Sequence, residues 1–370
     1  MKGVILVENS FVHPYMPNSV PENKKAMLDE LGINSVEDIY KSIIPDELLY
    51  KERLDIPEPI RSEYELKRHV MGILNRDITT EEYTSFLGAG CYKHQVPAIC
   101  DEINSRGEFL TAYCGDTYSD HGKMQAIFEY TSMMGELLDT DVVSYTTYDG
   151  GQAVASSLRM AVRAVREKGM AGKVILVPKT MNPEIYSQVV QYCRNVAEVR
   201  KIAYEPETGL MDLEELKEQL AKKNVAAVFF ENPTYLGNFE TRGEEIAKLA
   251  HDAGAYCVVQ TEVAALGIME SPVNQGADIV CGDIQPLGMH IQFGGGQAGF
   301  IACNQNMDLV EQFPTYMYGI TETEKEGTYG WGRAMNYRSS HGSRENAKEY
   351  FGTETGLWAI TAGVYLASMG

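Results

Sequence analysis

Residues 276–303 contain the glycine-rich pattern in this chain that is most suited to binding a cofactor. The hexapeptide GGGQAG at 294–299 formally matches G-x-G-x-x-G, in which backbone amides hold the phosphates of a dinucleotide. That use requires a helix directly after the glycines, whereas the apolar run 300–303 predicts a strand. Because residues 289–293 also have a strand-like pattern, we predict a hairpin with a glycine turn and not a dinucleotide site.

A second chemistry considered for the same tract is a Schiff base with pyridoxal phosphate (PLP). Enzymes of the aspartate-aminotransferase fold bind PLP through a lysine that lies between late strands. The corresponding segment 282–288, GDIQPLG, contains no lysine, and neither does any position from 249 to 324. This part of the chain therefore cannot anchor PLP covalently, and we assign no catalytic residue to it.

The elements that would position such a site begin at about residue 142, where strand and helix patterns alternate. This alternation predicts crossover connections and a mostly parallel sheet that is covered by helices on both faces. The predicted strands are 142–146, 173–177, 199–204, 225–230 and 256–260, and the helices are 152–168, 182–193, 213–221 and 243–252.

Three loops follow these strands at the carboxyl edge of the sheet, where binding sites of α/β proteins gather. The first contains Asp149, Gly150 and Gly151 and opens a helix, so its amides could hold a phosphate or a carboxylate. The other two are residues 231–237 and the pair that ends with Glu262. Each loop alone is more typical of a tight turn, but the three together indicate a site.

Two earlier loops carry hydroxyl and imidazole groups. Tyr92 and His94 lie in a loop rich in glycine, and Thr111 and Tyr113 lie in a polar segment that leads to His121 and an apolar helical stripe. A solvated loop is the alternative for the second segment. Cys91 has the i, i+3 spacing of a metal pair with His94, but no second pair has zinc-like spacing, so we predict no metal site.

Charge and cysteine usage limit the classes of partner. The net charge of −20 disfavours nucleic acid and anionic membrane surfaces as partners. The seven scattered cysteines lack a C-x-x-C pair and indicate a reducing compartment, and no apolar run is long enough for a membrane span or typical of a signal peptide. We therefore expect a cytoplasmic protein.

The chain is expected to have three parts. Residues 1–80 predict a helical arm, with a helix at 21–31 closed by Gly32 and another that starts after Ser62 and runs to about residue 74. Such an arm cannot build a large core, so it would wrap its own domain or a partner subunit. Residues 81–353 form the large domain, and residues 354–370 begin a C-terminal helix.

Motifs spread over almost the whole chain resemble those of one family, the alpha subunit of the two-chain glycine dehydrogenase (decarboxylating), which is the P-protein of the glycine cleavage system. The motifs occur in the family's order and are well separated. They include residues 15–19, 86–90 with Tyr92 and His94, 105–106, 108–109, 111–113, 128–130, 148–150, 276–280, 285–288, 293–295, 344–345 and 364–366.

This resemblance implies a PLP-dependent transferase fold of type I and a division of labour between two chains. The family's alpha subunit lacks the lysine, while its beta subunit carries PLP, and their pocket decarboxylates glycine and transfers the aminomethyl group to the lipoyl H-protein. The implied pocket or interface residues are Tyr92, His94, Thr111, Tyr113 and His121. The implied remnants of a cofactor pocket are Asp149, Gly150, Gly151, Glu262 and Gln285.

Several departures from the family keep alternatives open. Residues 114–121 differ from the family's pattern, Glu262 falls near a position where PLP relatives have aspartate, and residues 343–346 read SREN. Family members also usually continue beyond the position of Gly370 into a small domain. One alternative is a PLP-fold scaffold that partners a different amino-acid-converting subunit, and another is an independent enzyme that uses Asp283 and His290 as acid and base.

Overall fold

The computed structural model describes residues 12–50, 52, 54–88, 90–110, 121–338, 342–349 and 355–370. The chain forms two compact units, one that ends at Thr79 and one from Thr80 to Gly370. None of the described helices is long and apolar enough to cross a membrane.

The first unit contains the helices α1 (Pro21–Leu31), α2 (Glu37–Tyr40) and α3 (Glu63–Leu74). The predicted boundaries of α1 are confirmed, because Gly32 has a φ of 68° and ends the helix in the left-handed conformation. Ser62 caps α3, with its hydroxyl oxygen accepting a hydrogen bond from the Glu65 amide at 3.1 Å. No residue of these three helices is buried.

The second unit is built on a seven-stranded sheet with the strand order β1-β7-β6-β5-β4-β2-β3. Two helices, α4 (Ala98–Asn104) and α5 (His121–Leu138), precede it. Along the chain the elements are β1 (Val142–Val143), α6 (Gly150–Glu167), β2 (Val174–Pro178), α7 (Pro183–Cys193), β3 (Glu198–Ile202), α8 (Leu213–Leu220), β4 (Val225–Asn232), α9 (Gly243–Asp252), β5 (Tyr256–Thr261), β6 (Ile279–Asp283) and β7 (Gly299–Cys303).

Strands β2 to β6 pair in parallel, and β7 runs antiparallel to both β6 and β1. The predicted alternation of strands and helices is confirmed from β2 to β5. Strand β1 is shorter than predicted, because its pairing with β7 stops after Val143 and resumes only at the single bridge between Thr147 and Gly299.

Apolar side chains fill both faces of the sheet, as a mostly parallel sheet requires. One core lies between the sheet and α5, α8 and α9, and the other lies between the sheet and α6 and α7. All eight residues of β4 are buried. After the sheet come α10 (Met307–Val310), the hairpin of β8 (Met317–Glu322) and β9 (Tyr329–Ala334), and α11 (Gly356–Met369), which packs on α5 and α4.

Of the two strands predicted for the glycine hairpin, one is present and the other is not. The strand at 300–303 is confirmed as part of β7, but its antiparallel partner is β6 and not residues 289–293. Those residues lead into a short 3-10 turn, in which Gln292 and Phe293 have φ values of 45° and 55°. A strand cannot contain this left-handed backbone, and no helix follows the glycines, so the dinucleotide pattern is not realised.

Candidate functional site

Four acidic side chains lie where strands of the sheet end. Glu231 is near the end of β4, Glu262 follows β5 and Asp283 ends β6, while Asp149 precedes α6 after β1. Since β1, β4, β5 and β6 run in the same direction, their carboxyl ends share one edge of the sheet. The loops predicted from the sequence thus meet at this edge.

The amino terminus of α6 is already supplied with negative charge by the chain itself. Asp149 caps the helix, with Oδ1 accepting a hydrogen bond from the Gln152 amide at 2.6 Å. The Gly150 amide donates to Oδ2 of Asp283 at 2.8 Å. The amide that could have held an external phosphate is therefore used by a carboxylate that lies 133 residues further along the chain.

Asp283 is a partly buried carboxyl group that three backbone amides contact. Besides Gly150, it accepts hydrogen bonds from the amides of Gln285 at 2.8 Å and Ala298 at 3.4 Å. Burial raises the pKa of Asp283 to about 7, although the three amides act in the opposite direction and Asp149 adds a smaller upward effect. The group is thus near the midpoint of its titration at neutral pH.

The glycines at the start of α6 permit close packing of side chains. A Cβ atom at Gly150 would lie 3.0 Å from Cβ of Asp283, and one at Gly151 would lie 2.7 Å from the side-chain amide of Gln188. The space in front of the helix is therefore filled by Asp283 and Gln188.

The residues of this edge do not fit PLP as a bound group. The cofactor needs an amine for its Schiff base and donors for its phosphate, and segment 282–288 has no lysine. The Gly150 amide donates to Asp283, and Asp149, whose charge already acts on Asp283, would repel a phosphate dianion.

Gln285 connects this edge to the loop that carries Tyr92. Its side chain is fully buried. Its Oε1 accepts a hydrogen bond from the Tyr92 amide at 3.0 Å, and its Nε2 donates to the carbonyl oxygens of Tyr92 at 3.0 Å and Met289 at 3.1 Å. The predicted remnant Gln285 thus ties one predicted pocket residue in place from a distance of 193 residues in sequence.

His94 presents an unpaired nitrogen next to this connection. Its Nδ1 lies 3.0 Å from the carbonyl oxygen of Tyr92 and must carry the proton, because a carbonyl oxygen only accepts. Its Nε2 is shielded from solvent and has no hydrogen-bond partner among the residues that the structure describes. Tyr365 contacts the ring edge-on, with the ring centroids 6.4 Å apart. An unpaired buried nitrogen costs about 1–3 kcal/mol, so it marks a position where a ligand or partner group would be stabilised.

Titratable groups near Tyr92 have raised pKa values. Burial raises the pKa of Tyr92, and the charges of Glu262, Asp283 and Glu231 add to that effect. Burial also raises the pKa of Glu262 to about 6 and that of Glu231 to about 7. Such a group of shifted carboxyls beside a half-buried phenol is typical of a functional pocket.

Three predicted pocket residues cannot be placed with the others. Thr111 and Tyr113 lie outside the described residues, as does the side chain of His121. The alternative pair of Asp283 and His290 is not brought together as an acid and base, since His290 Nε2 lies 3.0 Å from Asp101 Oδ1. Among the described residues no group of three or more His, Cys, Asp or Glu could hold a metal ion.

Comparison with known proteins gives a consistent result over nearly the whole chain. The sequence profile of the family "Glycine cleavage system P-protein" matches residues 13–370. The "Probable glycine dehydrogenase (decarboxylating) subunit 1" of Carboxydothermus hydrogenoformans is 37% identical over 357 residues, covering 96% of this chain and 77% of that protein. The protein of the same name from Staphylothermus marinus is 34% identical, covering 97% of this chain and 76% of that protein. The chain belongs to the glycine cleavage system P-protein family.

Solved structures place the fold in the same family. The crystal structure of an inhibitor-bound glycine decarboxylase (P-protein) matches with a TM-score of 0.81 and 31% identity, over 97% of this chain and 77% of that chain. A sphingosine-1-phosphate lyase from Burkholderia pseudomallei matches with a TM-score of 0.56 at 14% identity, covering 86% of this chain and 71% of that chain. The predicted PLP-dependent transferase fold is confirmed.

Membership of the P-protein family gives the chain its biochemical class. It is a component of the subunit-1 type of glycine dehydrogenase (decarboxylating), an oxidoreductase of the glycine cleavage system, and the reaction of the family uses PLP. The subunit number of the P-protein relatives also implies a partner subunit.

Sequence reasoning placed Glu231 in one of the three predicted site loops, because it follows the apolar run 225–230, but did not find the link between Gln285 and Tyr92. The link had no sequence signal, since a glutamine in an apolar tract does not reveal which distant backbone it contacts.

Proposed function

We propose that this chain completes the active site of a PLP-bearing beta subunit in a glycine decarboxylase. The beta subunit would decarboxylate glycine with its own PLP and pass the aminomethyl group to the lipoyl arm of the H-protein. Two observations support this proposal. Asp283 accepts the hydrogen bond of the Gly150 amide, and segment 282–288 has no lysine to form a Schiff base with PLP. A chain of this family without a usable cofactor site needs a partner to supply one.

Exposed apolar residues beside the site support a partner chain. Phe86 and Leu87 are 94% and 90% exposed, and Phe293 is fully exposed. Two hydrogen bonds join the loops that carry them, from Gln297 Nε2 to the Gly90 carbonyl at 3.0 Å and from Cys91 Sγ to the Ile291 carbonyl at 3.5 Å. Apolar side chains grouped on adjoining loops are typical of a protein interface.

Within the shared pocket, this chain would contribute Tyr92 and His94, together with Thr111, Tyr113 and His121 from the segment that leads into α5. The phenol of Tyr92 and the unpaired Nε2 of His94 are polar groups held on a tied loop. Asp149, Gly150, Gly151, Glu262 and Gln285 would no longer hold a cofactor and would instead support this loop and the sheet edge.

A reduction experiment tests the proposal. The purified chain is mixed with PLP, reduced with borohydride and digested, and we expect no pyridoxyl-peptide from segment 282–288 or elsewhere in the chain. Adding the lysine-bearing subunit should place the label on that subunit alone and produce glycine-dependent release of carbon dioxide with H-protein. A labelled peptide from this chain would contradict the proposal.

A second candidate function is a scaffold for a subunit that converts a different amino acid. The departure of residues 114–121 from the family's pattern favours it. Purification from the native cell with this chain as bait separates the two, because recovery of a glycine-decarboxylating subunit with H-protein excludes the scaffold.

We propose a cytoplasmic location for this pair. Six cysteines are free among the described residues, and five of them, Cys100, Cys193, Cys257, Cys281 and Cys303, are buried in the core as thiols. Thiols are kept in this form in a reducing compartment.

A further inference from the structure

The carbonyl oxygen of Tyr92 accepts two hydrogen bonds from side chains that belong to different parts of the site. One comes from Gln285 Nε2 at 3.0 Å, and the other comes from His94 Nδ1 at 3.0 Å. A carbonyl oxygen has two lone pairs and can serve both donors at once. Gln285 and His94 are therefore coupled through one oxygen atom.

Gln285 fixes the orientation of that carbonyl group. Its side-chain amide accepts a hydrogen bond from the Tyr92 N–H and donates one to the Tyr92 carbonyl, as the backbone of a neighbouring strand would. A third hydrogen bond, donated to the Met289 carbonyl, fixes the side-chain amide itself. Full burial of Gln285 leaves no water to substitute for these bonds. A lysine at this position could donate to the two carbonyl oxygens but would leave the Tyr92 amide without an acceptor.

The oriented carbonyl in turn determines which nitrogen of His94 carries the proton. With Nδ1–H donated to Tyr92, the neutral ring has its lone pair on Nε2, the nitrogen that is shielded and unpaired. In histidines generally, a carbonyl group that accepts a hydrogen bond from one ring nitrogen leaves the other ring nitrogen unprotonated and able to accept a hydrogen bond.

We propose that Gln285 is a positioning residue that fixes the tautomer and orientation of His94 through the Tyr92 carbonyl, so that Nε2 presents a hydrogen-bond acceptor to the shared active site. The inference rests on the proposed function for the identity of that active site. Segment 282–288, which has no Schiff-base lysine, thus positions His94 for contact with the partner subunit.

The first test is spectroscopic and uses the chain alone. Nitrogen NMR of the chain labelled with 15N-histidine distinguishes the two tautomers, and the signal of His94 is identified by its loss in His94→Gln. We expect the Nδ1–H tautomer in the parent chain and a shift toward Nε2–H in Gln285→Met, which removes all three hydrogen bonds at similar volume. Gln285→Glu, which keeps an acceptor for the Tyr92 amide but loses the donors, should give the same shift if Gln285→Met folds poorly.

Gln312 provides a matched control. It is also fully buried and uses its side-chain amide, accepting from Arg163 Nε at 3.2 Å and donating to Glu167 at 2.8 Å, both near the carboxyl end of α6. Gln312→Met should lower stability in the same way but leave the tautomer of His94 and the activity of the assembled enzyme unchanged.

The second test measures glycine decarboxylation by the chain assembled with its PLP-bearing subunit and H-protein. Gln285→Glu should lower kcat/KM about tenfold or more, because a misplaced polar group loses much of its effect. The double variant with His94→Gln should lose no more than the worse single variant, since both act on one nitrogen. Additive losses, or full activity in Gln285→Glu, would overturn the positioning role.

The two tests separate this inference from the proposed function. If the parent assembly fails to decarboxylate glycine, the proposed function is wrong, while the NMR result still decides whether Gln285 sets the tautomer of His94. If the parent assembly is active but the tautomer is the same in both Gln285 variants, the inference is wrong and the proposed function stands.

Discussion

The carboxylate of Asp283 accepts a hydrogen bond at 2.8 Å from the amide of Gly150, the first residue of α6. The positive end of the helix dipole thereby contacts an acidic group at the end of β6, within the lysine-free segment 282–288. Because Asp283 is an ionisable group with a raised pKa, this relationship leads to a prediction about the dependence of stability on pH.

The raised pKa of Asp283 predicts that folding stability falls as the pH rises. The folded-state pKa is about 7 against an ordinary value of 3.8, so folding favours the protonated form. This contribution is fully present below about pH 4 and is lost as the pH approaches 7, with a total on the order of a few kcal/mol. Asp283→Asn, which cannot ionise, should show a smaller loss of unfolding free energy over this range in denaturant titrations.

The control for this prediction is Asp252→Asn, because Asp252 is exposed and forms an ion pair with the exposed Lys248. It should keep the pH dependence of the parent chain. If the unfolding free energy depends on pH in the same way in the parent chain and in Asp283→Asn, the carboxyl of Asp283 is not the source of that dependence.

Alanine at the two glycines of α6 should have unequal effects. A Cβ at Gly150 would press on Asp283 and on the backbone of Gly282, which cannot move without disturbing β6. The atoms nearest to a Cβ at Gly151 would be those of the side-chain amide of Gln188, which can rotate away. We expect Gly150→Ala to cost about 1–3 kcal/mol of unfolding free energy and Gly151→Ala clearly less, as measured by urea denaturation. The reverse order would contradict the packing described for the helix start.

The two ring nitrogens of His94 can be separated by amide substitutions. Asparagine places a donor near Nδ1 and could keep the bond to the Tyr92 carbonyl, whereas glutamine extends a polar atom to the position of Nε2. Since the unpaired atom is Nε2, glutamine should retain more glycine decarboxylation in the assembled enzyme than asparagine. The check is a comparison of kcat/KM for both variants at equal occupancy of the partner subunit. Equal activities would mean that Nε2 is not used.

Phe293 is expected to contribute to assembly with the partner subunit. It is fully exposed and has a φ of 55°, a conformation that asparagine adopts at little cost. Phe293→Asn should therefore leave the stability of the isolated chain unchanged or slightly higher. It should weaken binding of the PLP-bearing subunit by about tenfold or more in sedimentation or calorimetric titrations.

Met307→Ser is the matched control for Phe293. Met307 is 51% exposed and starts α10 after β7, at the edge of the sheet opposite the site. Its substitution should leave the affinity for the partner unchanged. If Phe293→Asn and Met307→Ser lower the affinity for the partner subunit equally, Phe293 is not part of the interface.

Local sequence determined most of the secondary structure of the second unit. The apolar runs that became β2 to β5 alternate with amphipathic segments, and each pattern depends only on neighbouring residues. Helix boundaries such as Gly32 and Ser62 are also local, because capping needs only a left-handed backbone or one side-chain oxygen. The absence of lysine between 249 and 324 and the ordered family motifs likewise required no coordinates.

Tertiary structure decided which groups at the site contact one another. The bond between Gly150 and Asp283 spans 133 residues, and the pairing of Gln285 with Tyr92 spans 193, so neither leaves a periodic signal in the sequence. Residues 289–293 have a strand-like pattern, yet Gln292 and Phe293 have a left-handed backbone, and β7 pairs with β1 and β6 because strand partners are selected over the whole sheet. The sequence alone thus predicted that segment 282–288 does not anchor PLP covalently. Only the folded chain showed that the Gly150 amide donates to Asp283, and that Gln285 and His94 both donate to the Tyr92 carbonyl oxygen.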